Sequence, residues 1–446
     1  MAIRGIVLLS FFLASLPVCF VRPFYGIVLW AIVAFLNPQN FIWMAADTFP
    51  WALAVAIATM AGFALFCRDW VRRLVSREVF LILLLWSWFT VTSFVSANTP
   101  EFVHHSQDTW FHWWFVTKVL LMTLLTVAIV DSFSRLKILV MVIAGSFGVF
   151  VAKSIPFIVE TRGGMRVYGP ENSMVADNND FGLALNMTLP LFFYLAQTET
   201  KPWLKRTWAF LVVCTIPAVF FTYSRGALVG LIAVSVLMLL RSRHRLVIIP
   251  VIALGILFAM LFAPQTWRNR MDPTTQNALD GSARSRLNSW AYSWRLALNY
   301  PISGGGFATF TPELFHRYAP NPKDDTHGAH SIYFQVLAEH GFVGLALYLT
   351  LVLSCFATAG RLRKRALAYG DTQVGSYADM FRFSLVGFLA SGFFLGRAYF
   401  DYYFMMVACL AILNHVATER WAHLDEAEDE EPESMPAYGD EALLET

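Results

Sequence analysis

Apolar runs of bilayer-crossing length recur along the whole chain, and they constrain its fold more than any single motif does. Crossing the hydrocarbon core takes about 17 residues or more. Runs near that length cover 3–20, 50–67, 78–96, 114–131, 137–158, 181–197, 207–222, 226–240, 246–263, 331–357, 381–396 and 402–418. Neighbouring interfacial residues make up the shorter ones. Charged residues are 14% of the 446, against about 25% in ordinary globular domains. The deficit is spread over the full length, so the expectation is an all-α polytopic membrane protein of about twelve transmembrane helices. Forty Phe and fifteen Trp suit lipid and interface contact. A net charge of +2 gives nucleic acid no footing. The five Cys lie scattered in apolar runs without metal-type spacing and read as small packed hydrophobes.

The loops between runs alternate in charge. "RDWVRRLVSR" (68–77), "SRLK" (134–137), "KPWLKR" (201–206), "RSRHR" (241–245) and "RLRKR" (361–365) are basic and fall on alternate turns, which assigns them to the cytoplasm. The first segment has no small-residue cleavage site after it and reads as a retained helix, not a signal peptide. The run Phe24–Leu36 breaks parity: it has about 13 residues between Pro23 and Pro38. Residues 24–49 are therefore expected as a re-entrant or interfacial piece on the outer side. Both termini then lie inside. The chain divides into nine helices over 1–263, an outer loop domain over 264–329, and three helices over 330–418. An acidic cytoplasmic tail, expected to be disordered, covers 419–446. The outer domain holds one helical pattern, 284–300, ended by Asn299-Tyr300-Pro301 and followed by the glycine turn "SGGGF".

Cations on the outer side run against the charge rule and are the informative residues. They are Arg162 and Arg166 between two spans, Arg225 in the tight turn "FTYSRGALVG", Arg284 and Arg286 opening the outer helix, and Lys153 near the outer end of a span. Ionisable groups at membrane depth are costly and usually functional. The plainer alternatives are snorkelling to headgroups, or for Lys153 a pair with Glu160. Arg225 stands out because the chain must reverse there, with Gly226 as the pliable residue, and a new helix opens. A helix N-terminus and guanidinium groups together make a phosphate site, and several of them suit a diphosphate.

His330 begins the span 331–357 at the end of the outer domain, with Ser331 or His330 itself at the capping position. A neutral imidazole there can take a proton from a sugar hydroxyl; an interfacial histidine bonded to a carbonyl is the plainer reading. Gly341 and Gly344, about three turns on, would admit a close neighbouring helix. His327 and His340 carry less signal; His327 and His330, three apart with Asp324 and Asp325 near, fit no H-E-x-x-H or Cys-type metal pattern.

These blocks resemble the O-antigen ligase superfamily. His330-Ser331, nine residues, then Gly341-x-x-Gly344 fits its H-[NSQ]-x9-G-x-x-G pattern. "TYSRGALVG" is similar to its Ser-Arg-Gly turn. "RVYGPENSMVADNNDFG" resembles its Arg-x-x-Gly…Asn segment, and "SRLNSW…NYPISGGGFATF" its Arg-x-x-x-Trp…Pro-x-x-Gly-x-Gly loop. The order matches and covers roughly 160–350. The N-terminal half is similar to that of the exosortase-associated O-glycosylation ligase branch.

The resemblance implies a metal-independent, inverting GT-C-type glycosyltransferase without cofactor. It would move glycan from undecaprenyl diphosphate to lipid A–core, a growing O-antigen or a protein side chain on the periplasmic face of the inner membrane. By matching positions, Arg166, Arg225 and Arg286 hold the diphosphate and His330 is the base, with Asn179 assisting; the doubled "NND" leaves Asn178 equally matched. Arg162, Arg284 and Lys153 join as further cations. Alternatives are an O-antigen polymerase, a protein O-oligosaccharyltransferase, or, from another class, a flippase. A flippase would need cations along a path and often shows internal repeats, which are not seen here.

Overall fold

The computed structural model describes residues 3–41, 49–241, 245–271, 282–322 and 326–430. Every regular element among them is helical. In chain order these are α1 (Ile3–Val21), α2 (Pro23–Ala31) with a π-turn (Ile32–Leu36), α3 (Trp51–Phe66), α4 (Trp70–Leu74), α5 (Arg77–Ala97), α6 (Ser106–Ile129) and α7 (Phe133–Glu160). There follow α8 (Asn178–Thr198), α9 (Pro202–Phe220), α10 (Arg225–Arg241), α11 (Arg245–Phe262), α12 (Gln265–Met271) and α13 (Ser282–Asn299). The last are α14 (Pro312–Tyr318), α15 (Ile332–Ala368), α16 (Thr372–Gly392) and α17 (Asp401–Glu430).

Among the described residues, five helices are long and apolar enough to cross a membrane: α5, α6 with its preceding turn (Val103–Ile129), α7, α9 and α15. Shorter apolar helices include α3 and the stretches Pro23–Leu36 and Arg225–Leu240. The central helix α8 is more polar because protein, not lipid, surrounds it. From Asp180 to Leu195 its residues are buried, and the Asn186 amide donates to the Ala227 carbonyl (2.7 Å) and Ser391 Oγ (2.9 Å). Pairing the buried N–H groups in this way offsets the cost of burying them. Short polar side chains cap the helices where the sequence supplies them: Ser76 for α5, Ser132 for α7, Asp177 for α8 and Asp371 for α16.

The bundle has two ends. At the basic end α5, α7, α9 and α16 begin; at the other, here the site end, α6, α8, α10 and α15 begin. The stretch 23–40 connects the two. Phe24 lies under the Arg135 guanidinium at the basic end (5.3 Å). Phe35 packs on Phe147 and Tyr402 (5.7 and 5.3 Å). Asn40 donates to the Glu171 carbonyl at the site end. This course departs from the re-entrant or interfacial piece expected over 24–49 on the outer side; residues 42–48 lie outside the described residues. A helix of 14 residues measures about 21 Å, short for lipid contact alone. Burial of Phe24, Ile27, Trp30, Val33 and Phe35 replaces that contact. Helix α1 ends where α3 ends, Phe20 against Phe66 (5.6 Å), so its first residues lie toward the site end.

Two further expectations are corrected. The tail is not disordered from 419, because α17 continues to Glu430. Trp421 is buried, stacked on Tyr369 (5.2 Å) and under the Arg365 guanidinium (4.9 Å), an apolar anchor that acidic composition hid. Residues 431–446 lie outside the described residues. Nor do Gly341 and Gly344 share a face of one continuous helix. Gly341 has φ 68° and ψ −170° and breaks α15 into Ile332–His340 and the long segment after it. The glycine turn bonds the freed carbonyls: Gly305 N–H donates to Ala338 O (2.8 Å) and Gly306 N–H to Glu339 O (2.9 Å). Gly344 alone meets a neighbouring helix, where a Cβ would stand 3.3 Å from Trp88 Nε1 of α5.

The outer domain has a small core of its own. Tyr292 and Leu296 of α13 pack with Phe102, Leu314, Phe315 and Tyr318. Glu101 fastens it to the bundle, accepting from the Tyr300 and Tyr318 hydroxyls and pairing with Arg317 (2.7 Å).

Candidate functional site

At the site end the chain reverses over 221–225. Tyr223 has φ 60°, a left-handed conformation that a bulky side chain takes only when its surroundings hold it. Here its hydroxyl donates to the Gly163 carbonyl (2.7 Å), and the Val167 N–H donates to the Phe221 carbonyl (2.9 Å). Asn178, buried at the start of α8, donates to the Thr222 carbonyl (2.7 Å). Ser224 Oγ accepts from Ala227 N–H, and Arg225 opens α10. The loop bearing Arg162 and Arg166 is thereby laid against the Arg225 turn. Arg162 (φ 48°) is exposed and Arg166 half-buried. Among the described residues, no carboxylate pairs with Arg162, Arg166 or Arg225.

His330 is held from three directions. Its φ is 47°, in the left-handed region that histidine visits more readily than most residues. Trp290 Nε1 donates to the Ala329 carbonyl (2.9 Å), with the indole stacked on Phe334 (5.1 Å). A Cβ at Gly396 would stand 3.4 Å from the His330 N. Burial, then the positive charge of Arg286 and of His327, lowers the His330 pKa below the usual histidine range, against an opposing pull from Asp177. The imidazole is thus neutral at neutral pH and able to accept a proton.

The loop 393–400 joins the two parts. Phe394 lies against Gly226, where a Cβ would meet its Cβ at 3.0 Å, and against Trp290 (6.5 Å). Ala398 N–H donates to Gln335 Oε1 (3.1 Å), and the Tyr399 hydroxyl to Glu339 (2.5 Å). Arg397 makes a two-pronged bond to Asp180, Nε to Oδ1 at 2.8 Å and Nη2 to Oδ2. Asp180 sits two residues after Asn178, so this ion pair ties the His330 side of the site to the Arg225 side. An open apolar groove of about 450 Å³, lined in part by Val229, Tyr333, Leu389 and Phe394, runs up to this loop.

Residues 210–349 match the O-antigen ligase family model, a stretch holding Arg225, Arg286 and His330. This match supports membership of the O-antigen ligase superfamily. Residues 3–200 match a second family model, a family of unknown function (DUF5935), which contains Lys153, Arg162, Arg166 and Asn179. No curated protein matches the chain.

The other expected site residues lie as follows. Arg286 acts on His330. Arg284, two positions earlier and about 200° around the helix, is exposed on another face of α13. Lys153 lies on the surface of α7, two turns before its end. Asn179 bonds only to Asp177 (2.9 Å), whereas Asn178 carries the link to the Arg225 turn. His340 is buried, its Nδ1 on Thr92 Oγ1 (2.7 Å), away from His330. Ser331 N-caps α15 without a side-chain bond. Asp324 and Asp325 fall outside the described residues. Among the described residues, no cluster of three or more His, Cys, Asp or Glu is placed to hold a metal.

Arg397 and Asp180 are the residues sequence reasoning missed. The signal was present. Arg397 stands in the short outer loop between two apolar runs, the same kind of position that singled out Arg225.

Proposed function

We propose that the protein transfers glycan from undecaprenyl diphosphate to a hydroxyl of lipid A–core oligosaccharide, with inversion, as a GT-C-type enzyme without metal or cofactor on the periplasmic face of the inner membrane. The observation that carries this is the grouping at one end: Arg166 and Arg225 without carboxylate partners, and a half-buried neutral His330 joined to them through loop 393–400. His330 takes the acceptor O–H proton as the acceptor oxygen bonds to the anomeric carbon. The bond from that carbon to the diphosphate oxygen breaks, and the diphosphate leaves with the electron pair. Arg166, Arg225 and Arg286 stabilise its growing charge. Lys153, Arg162, Arg284 and Asn179 belong to the outer shell of this reading. The apolar groove beside Phe394 suits the polyprenyl chain. Gathered cations favour surface chemistry over a flippase, which needs charge along a path.

Gene deletion with gel analysis of lipopolysaccharide tests the acceptor. Bare core with long chains left on the lipid carrier supports ligation. Core carrying one repeat makes the protein a polymerase. Unchanged lipopolysaccharide with a lost glycoprotein band makes it a protein O-oligosaccharyltransferase.

A further inference from the structure

The outer helix α13 has two faces. One is buried in the small domain through Asn288, Ser289, Tyr292, Ser293, Leu296 and Ala297. The other is exposed and yet apolar. Leu287 (62% exposed), Trp294 (48%) and Leu298 (58%) recur at i, i+7 and i+11, which places them within about 40° of one another around the helix. Ile302, just past the helix end, extends the row at 62% exposure. Arg284 and Arg295, both exposed, flank this stripe on one side. The neighbouring helix α14 of the same domain is the reverse, since it turns Glu313, His316 and Arg317 outward. A water-surrounded domain would not keep a continuous apolar stripe on one side and a charged surface on the other.

The stripe also continues into the lipid-facing surface of the bundle. Trp294 meets Phe342 edge to face (5.6 Å, 89°), and the Phe342 N–H donates to the Pro301 carbonyl (2.8 Å). Phe342 is the first residue of the long apolar segment after the Gly341 break. From there exposed Val343, Ala346, Thr350 and Leu353 run down α15.

We propose that α13 lies in the bilayer interface at the site end, with Leu287, Leu298 and Ile302 sunk among the acyl chains and Trp294 at their boundary. Arg284 and Arg295 reach the lipid phosphates at its edge. Apolar face in, tryptophan at the boundary and arginine at headgroup level is the arrangement of an interfacial helix. The outer domain is then half-immersed rather than suspended in water, and His330 and Arg286 sit at headgroup height. The inference stands on the membrane architecture and does not depend on which acceptor is glycosylated.

The test uses the full-length protein in nanodiscs of phosphatidylethanolamine and phosphatidylglycerol. Spin labels are placed through Leu287→Cys, Leu298→Cys and, as the water-facing reference, His316→Cys. Power saturation compares collision with oxygen, which concentrates in lipid, against a water-soluble nickel chelate. The expected ratio of oxygen to nickel accessibility is several-fold higher at 287 and 298 than at 316. Equal ratios at all three positions overturn the proposal. So does shielding of 287 and 298 from both reagents, which would mean that protein covers the stripe. Where a cysteine variant fails to fold, hydroxyl-radical footprinting of the unsubstituted protein in the same nanodiscs reads the same contrast. Leu287 and Leu298 are expected to be protected and His316 modified; equal modification overturns the proposal.

Discussion

The two ends of the bundle treat their cations differently. At the basic end several are matched with carboxylates: Arg135 with Asp131 (2.7 Å), Lys137 with Glu199 (3.1 Å), Arg363 with Asp379 (3.1 Å), Arg420 with Asp371 (3.3 Å); exposed ones there such as Arg72, Lys205 and Arg206 have no such match among the described residues. At the site end Arg162, Arg166 and Arg225 stand without such a match among the described residues, while Arg317 and Arg397 are paired. A paired guanidinium has its field largely cancelled and serves to join helices. An unmatched one keeps its field for something that arrives. The charge rule sees the same residue types at both ends and does not tell a paired cation from an unmatched one.

The contrast breaks most directly at His330. His330→Ala is expected to lower glycan transfer by about 10²–10⁴-fold while donor binding stays near the unsubstituted level. Arg225→Ala is expected to weaken donor binding itself, and Arg225→Lys, which keeps charge without the fork, to lose about 10²-fold in transfer. Binding of undecaprenyl diphosphate to purified protein, beside a transfer assay, separates the two. If His330→Ala loses donor binding yet turns over at saturating donor, the imidazole is a phosphate ligand and not the base.

Next in size is the pair that joins the halves of the site. Arg397→Gln leaves the Asp180 carboxylate, 3% exposed, without its counter-charge, and is expected to cost about 3 kcal/mol of stability. Asp180→Asn combined with Arg397→Gln removes the buried charge and should recover most of the melting temperature. Transfer per folded molecule should remain low in the double variant, because the link from the His330 loop to the Arg225 turn is gone. Recovery of transfer along with stability would reduce the pair to framework, like those at the basic end.

Those basic-end pairs supply the opposite expectation. Lys137→Met strips the partner from Glu199 and is expected to cost about 1–2 kcal/mol, seen as a lower melting temperature. Transfer per folded molecule should not change. A specific loss of transfer would show that the division between the ends is wrong.

The helical frame was legible because apolar period reports on helices directly. The outer helix read as 284–300 is observed at Ser282–Asn299. What stayed hidden depends on contacts between distant segments. Length alone made 24–36 look too short to cross, since nothing local tells that Phe35 rests on Phe147 and Tyr402. The break at Gly341 needs the distant glycine turn at Gly305 and Gly306 to satisfy its carbonyls. Composition hid the helical anchor at Trp421, and Asp180 gives no sign of its tie to Arg397, 217 residues on. The course of 23–40 has a consequence for the termini: a reporter fused to the N-terminus and one fused after Glu430 are expected on opposite sides of the membrane. The same side for both would restore the re-entrant reading.

The smallest expected effect is also the most diagnostic of how Arg286 and His330 are joined. As a base, His330 acts in its neutral form, so transfer should fall as pH drops through its pKa. Burial is the first cause holding that pKa below the usual histidine value, and the Arg286 charge is the second. Arg286→Gln removes the second cause and keeps the first. The imidazole then protonates more readily, and the acid limb of the pH–rate profile should move to higher pH, by less than the full return to an ordinary histidine. The height of the plateau is a separate matter. It falls as well if Arg286 holds diphosphate, but a change in height does not move the position of the limb. Lys at 286 keeps the charge and should leave the limb where it was, whatever it does to the plateau. A limb that stays fixed in Arg286→Gln would mean that the titrating group is not His330, and one that moves to lower pH would mean that Arg286 does not act on the base as a positive neighbour.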